Sequence, residues 1–337
     1  MGGGYWDAST YAATTGAKIA AGTTFGYSSA TRMRPHGMWA ADPSLDPVKC
    51  VAGPSSPFAG RNIRESRDNP DHPTSVPVAV FFDQTGSMGH VPVELQKKLA
   101  ELFGLLLRKG YVTDPQVLVG AYGDAYCDMV PLQASQFESD NRIDDALDKL
   151  FLEGAGGGND GETATLAWYF AATHTATDAW DKRGKKGYLF TIGDECALPI
   201  TVSQILEHTT DTVQADLTPK DVVALASQRW EVFHLVVDNY AAHIQDSVRK
   251  YTELLGDHCV VLEDPLAAAE TIAGIIGMCE GTLDDVDSLV DDLVSVGAST
   301  VAVKATAKAL STLSTSTAVV TSATPEDLDL PDDFERL

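Results

Sequence analysis

The chain has 337 residues, 44% of them apolar and 21% charged, with a formal net charge of −24. That acidic surplus argues against binding a phosphate backbone or an anionic lipid surface, and leaves neutral or basic proteins, or cations, as partners. No run of about 18 apolar residues is present to span a bilayer, and the start, MGGGYWDAST, lacks the basic-then-apolar order of a secretory signal.

Five cysteines, Cys50, Cys127, Cys196, Cys259 and Cys279, are odd in number and form no CxxC. They read as small buried hydrophobes in a reducing compartment, so a cytoplasmic protein is expected.

Residues 1–75 are rich in Gly, Pro, Ser, Thr and Ala and keep no period of two or 3.6. Tyr5, Trp6, Tyr11, Phe25, Tyr27, Trp39 and Phe58 are too many rings for a free linker. The expectation is an irregular arm that packs on the adjoining domain through those aromatics.

From Val76 an alternation begins. Strand-like runs lie at 76–83 (VPVAVFFD), 116–124 (QVLVGAYGD), 186–195 (KGYLFTIGDE), 230–238 (WEVFHLVVD) and 258–264 (HCVVLED). Helix-like stretches lie at 91–109, 142–151, 163–176, 219–229, 241–255 and 265–280. In the first of these, Val93, Leu99, Phe103, Leu106 and Leu107 fall on one broad apolar stripe. Strands and helices alternating at this spacing predict an α/β fold: a Rossmann-like, doubly wound, mostly parallel sheet with helices on both faces, spanning 76–281. Ligand sites in such sheets lie at the carboxyl ends of strands.

Residues 282–337 carry eleven Asp or Glu against three Lys or Arg. Leu283, Val286, Leu289, Val290 and Leu293 are helically spaced opposite a row of aspartates. An acidic helix and tail is expected, ending in PEDLDLPDDFERL. There Leu328, Leu330, Phe334 and Leu337 are either anchors or part of a solvated peptide.

The chemistry concentrates at three predicted strand ends. The first strand runs into D-Q-T-G-S, setting Asp83, Thr85 and Ser87 at alternate positions around a flexible Gly86. The stretch LEGAGGGNDGETAT (152–165) has four glycines in five residues, then Asp160, Glu162 and Thr163 at a helix start. The stretch YLFTIGDE brings Asp194 to the end of another strand. Hydroxyls and a few carboxylates are oxygen donors suited to Mg²⁺, Mn²⁺ or Ca²⁺. An ion with few direct anionic ligands stays electrophilic and accepts one more carboxylate from a partner.

These three loops, in this order, resemble the von Willebrand factor A (vWA) family and its metal-ion-dependent adhesion site, D-x-S-x-S with a second-loop ligand and a third-loop aspartate. Asp83, Thr85 and Ser87 match the first element and Asp194 the third. The second loop resembles the branch with a Gly-rich loop and a D-x-P-E element, with Gly161 where the proline would stand. The resemblance leaves Glu162, Asp160 and Thr163 as second-loop candidates, Glu162 first, and makes Asp124 an orienting carboxylate behind the ion. It implies a non-enzymatic, metal-dependent protein-interaction module that binds a partner's acidic residue through the ion. Among intracellular members the partner machinery often includes an AAA-type ATPase.

Two other readings compete. FFDQTGS also resembles the phosphorylation motif of haloacid-dehalogenase-like phosphotransferases, with Asp83 as nucleophile. Against it stand Gln84 in place of the lysine, the order of the downstream motifs and the absence of a clear catalytic lysine between them. A structural scaffold with an unused metal site is the other. The eight histidines form no H-x-x-x-H or H-E-x-x-H pair and receive no role.

Overall fold

The computed structural model describes residues 7, 10, 13, 26–88, 91, 95, 102, 104–107, 109–154, 159, 161–311 and 313. The chain enters through helix α1 (Gly26–Arg32) and strand β1 (Arg64–Ser66), then builds β2 (Ser75–Asp83), β3 (Asp114–Tyr122), β4 (Leu132–Ala134) and α2 (Arg142–Asp148). Next come α3 (Ala164–Thr173), β5 (Thr175–Thr177), α4 (Asp178–Arg183), β6 (Gly187–Gly193), α5 (Val202–Thr209) and α6 (Pro219–Ala226). The last elements are β7 (Trp230–Val237), α7 (Ile244–Leu255), β8 (Cys259–Leu262), α8 (Ala268–Cys279), α9 (Val286–Ser295) and α10 (Thr300–Leu310).

Six strands form one sheet in the order β4-β3-β2-β6-β7-β8, parallel except for the short edge strand β4, and β1 pairs with β5 in a separate parallel ribbon. The fold is therefore α/β and Rossmann-like, with the sheet wound outward from β2 in both directions. Strand β2 is buried along its whole length. Val76, Val78, Val80 and Phe82 pack into one apolar cluster, while Ala79 and Phe81 pack into the other. The period of two thus feeds both covering layers.

On one face lie α3, α5, α6 and α7, contributing Leu166, Phe170, Ile205, Val222, Ile244 and Tyr251. Helix α3 is buried from Ala164 to Ala171, which explains its lack of a polar stripe. Thr201 and Thr218 each close a capping box at the start of α5 and α6.

The other face holds the helical positions 91, 95, 102, 104–107 and 109 together with α8 to α10. Val91, Leu95, Leu102, Leu105 and Leu106 are buried there, whereas Leu107 is 37% exposed. The apolar stripe expected from the sequence is thus rotated away from Leu107. Its members Val93, Leu99 and Phe103 lie outside the described residues.

The arm is held by more than aromatic rings. Tyr27 donates to the Ala40 carbonyl at 3.0 Å, and Trp39 meets Phe151 edge-on at 5.4 Å. The Arg64 side chain is fully buried and donates to the carbonyls of Ala134, Cys50 and Asp46 at 3.2, 2.7 and 3.2 Å. A buried cation is tolerated when carbonyl oxygens replace its water. Tyr5, Trp6, Tyr11 and Phe25 lie outside the described residues.

The core does not stop at residue 281. Gly274 of α8 has no room for a Cβ, which would come within 2.5 Å of Leu289 and 2.7 Å of Leu310, so α9 and α10 sit directly on the helix backbone. Leu289, Leu293 and Leu310 are fully buried there. The Ala/Ser/Thr-rich composition gave no strong periodic signal for α10; tertiary packing against α8 decides it. Leu328, Leu330, Phe334 and Leu337 lie outside the described residues. A chain cut after Gly281 is expected to lose about 5 kcal/mol or more, from three buried leucines at about 1.5–3 kcal/mol each. A urea midpoint equal to that of the full chain would contradict this packing.

Candidate functional site

Strand order dictates where a ligand can sit. The chain leaves β2 for β3 on one side and reaches β6 on the other, so the crevice between the carboxyl ends of β2 and β6 is the topological switch point. Asp83 ends β2, and Asp194 directly follows β6. Gly193 permits their approach. A Cβ there would fall 2.3 Å from the Tyr122 hydroxyl and 3.3 Å from Asp83 Oδ2.

The D-x-T-G-S turn is wound by its own side chains. Asp83 Oδ1 accepts from the Thr85 amide at 2.7 Å and from the Thr85 hydroxyl at 2.6 Å. The Thr85 and Ser87 hydroxyls are 3.1 Å apart, and Ser87 Oγ donates to Asp194 Oδ1 at 2.9 Å. Asp83, Thr85, Ser87 and Asp194 therefore converge on one spot. Asp83 and Asp194 are fully buried, while Ser87 is exposed.

Glu162 joins them from the second loop. Its amide donates to the Cys196 carbonyl at 2.8 Å, and its own carbonyl accepts from the Leu198 amide at 2.9 Å. These bonds clamp it beside the loop that follows Asp194. The Glu162 carboxylate is 6% exposed and near enough to Asp83 for the two charges to oppose each other. Gly161 sits where a Cβ would be 2.6 Å from the Cys196 carbonyl, so this strand-like pairing needs a glycine there. Asp160 lies outside the described residues.

Thr163 is already engaged. Its hydroxyl donates to the Gly123 carbonyl at 2.7 Å and accepts from the Ala125 amide at 3.0 Å. Asp124 is fully buried and accepts from the Tyr126 amide, the Cys127 thiol and Asn159 Nδ2 at 2.7 Å. It ties the Gly-rich loop to the end of β3.

The electrostatics are one-sided. Among the described residues, no lysine or arginine lies within ion-pair distance of Asp83, Asp124, Glu162 or Asp194, and the one imidazole that does is His243, beside Asp194. Asp83 Oδ2 and Glu162 Oε2 are buried with no hydrogen-bond partner. Burial, reinforced by the charge of Asp194, raises the Asp83 carboxyl far above the usual carboxylate range, although Thr85 offsets part of it. Burial and then the charge of Asp83 raise Glu162 likewise. Orphaned buried oxygens, all of them hard donors, fit a divalent cation such as Mg²⁺, Mn²⁺ or Ca²⁺.

Sequence reasoning missed the fourth loop at this edge, which follows β7. There Asn239 Nδ2 donates to Asp194 Oδ2 at 2.7 Å, and His243 Nε2 approaches the same oxygen at 3.6 Å. The signal was available: VVDNYAAH continues a strand predicted to end at this rim. Between them Tyr240 takes a left-handed φ of 63° and leaves its ring 87% exposed.

These shifts fix a pH dependence. A carboxyl whose folded value is raised contributes stability that is fully present below its unfolded value of about 4 and is lost as pH rises through the folded value. The chelated protein therefore weakens toward alkaline pH, and a cation reverses the effect by favouring the ionised form. His234, buried and pushed down to about 3, acts with the opposite sign: its contribution is lost as pH falls below about 6.5. That slope cancels when Mg²⁺ and chelator are compared at one pH. Saturating Mg²⁺ should raise the calorimetric melting temperature by about 5 °C at pH 8 and by clearly less at pH 5. Equal shifts at both pH values would show that Asp83 and Glu162 do not bind the ion.

No protein-family model matches the sequence, and no curated protein matches it. Several solved structures are similar at low identity. The vWF domain of the type V pili tip protein Mfa5 from Porphyromonas gingivalis is 12% identical, over 61% of this chain and 96% of that one, at a TM-score of 0.41. A von Willebrand factor type A structure from Catenulispora acidiphila is 13% identical, over 62% and 43%, at 0.36. The pilus adhesin SpaC from Lactobacillus rhamnosus GG, in its open conformation, is 9% identical, over 68% and 31%, at 0.42. The match thus spans about a third of the adhesin's length and under half of the Catenulispora chain.

Proposed function

We propose that this chain is a metal-dependent protein-interaction module of the vWA type, and not an enzyme. The reading rests on one observation above the others. Asp83 Oδ2 is buried without a partner in the same cluster as Thr85, Ser87, Glu162 and Asp194. Asp83, Thr85, Ser87 and Asp194 would hold Mg²⁺, or Mn²⁺ or Ca²⁺, with Glu162 and Asp160 supplied by the second loop. The ion supplies a positive centre able to accept a carboxylate from an acidic residue of a protein partner.

Exposure divides the labour within the cluster. The buried carboxylates set the charge, and the exposed Ser87 marks the side open to a partner. Tyr240, Tyr126 and Met129 are 87%, 48% and 41% exposed on loops at the same sheet edge. Aromatic and Met side chains around a polar centre suit a protein partner. The net charge of −24 speaks against nucleic acid, and no helix among the described residues is long and apolar enough to cross a membrane. All five cysteines are unpaired, which is compatible with the proposed cytoplasmic setting. An AAA-type ATPase as partner enters through the family resemblance alone.

The phosphotransferase reading is less well supported. Gln84 turns away from the cluster to the Val130 carbonyl and accepts from Gln133 at 2.8 Å. Asp83 Oδ1 is held by Thr85, and the side chain is fully buried, which suits a ligand better than a nucleophile. A scaffold with an unused site would leave the buried Asp83 Oδ2 and Glu162 Oε2 without a partner.

The test is affinity capture of partners with Mg²⁺ and with excess chelator, for the wild type and Asp83→Ala. Partners should be released by chelator and lost at least tenfold in Asp83→Ala, while the circular dichroism spectrum is retained. Capture that is identical in Mg²⁺ and chelator would refute the mechanism.

A further inference from the structure

We infer that the loop after β7 completes a second, separate cation site, built from Asp194, Glu195 and His243 and suited to a borderline transition ion such as Zn²⁺. The three donor atoms lie within 4.8 Å of one another. His243 Nε2 is 3.6 Å from Asp194 Oδ2 and 3.5 Å from Glu195 Oε1, and it makes no hydrogen bond although the atom is shielded from solvent. Those separations are too long for hydrogen bonds. They are close to the spacing of about 3.3 Å that two ligands keep when both lie about 2.0–2.1 Å from a tetrahedral ion.

The two oxygens of Asp194 divide between the two sites. Oδ1 accepts from Ser87 on the side of Asp83, while Oδ2 faces His243. Asn239 donates to Oδ2 at 2.7 Å, and its own Oδ1 accepts from the Ala241 amide at 3.1 Å. The carboxylate is thereby fixed in the orientation that points one oxygen each way, as in paired-metal sites bridged by one carboxylate. Donor chemistry separates the occupants. The oxygen-only set around Asp83 favours Mg²⁺ or Ca²⁺, whereas an imidazole with two carboxylates favours Zn²⁺ or Co²⁺ and leaves a fourth position for water or a ligand. The inference does not depend on an ion at Asp83.

The probe is Co²⁺, titrated into the full chain in saturating Mg²⁺ and followed by visible d–d absorption, with Zn²⁺ displacement measured calorimetrically. One Co²⁺ per chain should give a band of four- or five-coordinate intensity that Zn²⁺ abolishes. Asp83→Ala should keep this band. His243→Ala and Glu195→Gln should each weaken Co²⁺ binding at least tenfold while keeping the Mg²⁺-induced thermal shift, which shows an intact fold. If Co²⁺ gives no such band, or if His243→Ala and Glu195→Gln bind it as the wild type does, the second site is refuted. A band that persists in a chain with no Mg²⁺ response would refute the reading at Asp83 and support this one.

Discussion

A set of buried carboxylates that no lysine or arginine among the described residues balances is the constraint on which this structure turns. Asp83, Asp124, Glu162 and Asp194 are drawn together at the rim of the sheet, and among the described residues the only basic side chain beside them is the His243 imidazole. Burying one ionised carboxyl without compensation costs several kcal/mol. Such a cluster either holds protons or holds a metal, and the raised values of Asp83 and Glu162 express that choice. Stability elsewhere must carry the cost. Two apolar layers, one on each face of a sheet whose central strand is completely buried, provide the rigid frame.

The frame also explains why these residues meet although they are far apart in sequence. A sheet wound outward from β2 opens a crevice only where neighbouring strands send their connections in opposite directions. Asp83 and Asp194, more than a hundred residues apart, are joined through the Thr85 and Ser87 hydroxyls at that point. Glycines at 161 and 193 remove the side chains that would hold the loops apart. Specific backbone approach, more than any single ion pair, sets the cluster.

Much of this was legible in the sequence. Strand-helix alternation gave the α/β class and the five parallel strands, because a buried parallel strand is a run of apolar residues and ends abruptly at polar ones. The meeting of Asp83, Thr85, Ser87 and Asp194 follows from their places at strand ends, whereas Glu162 stands first in the second loop through the family resemblance. What escaped was non-local or short. Strands β1, β4 and β5 have three residues each, too few to show a period, and β5 was absorbed into the expected helix at 163–176. The buried Arg64 looked like an ordinary charge in an irregular arm, since its three carbonyl partners come from other parts of the chain. Thr163 is a second-loop candidate through the family resemblance, and its hydroxyl is bonded to the Gly123 carbonyl just past β3. His243 formed no local histidine pattern because its companions, Asp194 and Glu195, come from another loop.

Ion uptake coupled to proton loss is the most direct measure of the central claim. Titration calorimetry with Mg²⁺ or Mn²⁺ at pH 7, repeated in buffers of different ionisation enthalpy, counts the protons released per ion bound. A carboxylate cluster that holds protons when free of metal should take up an ion at the Asp83 site and release at least one proton as it does so, and Asp83→Asn should abolish that event. No uptake at millimolar ion, or uptake without proton release that survives Asp83→Asn, would contradict it.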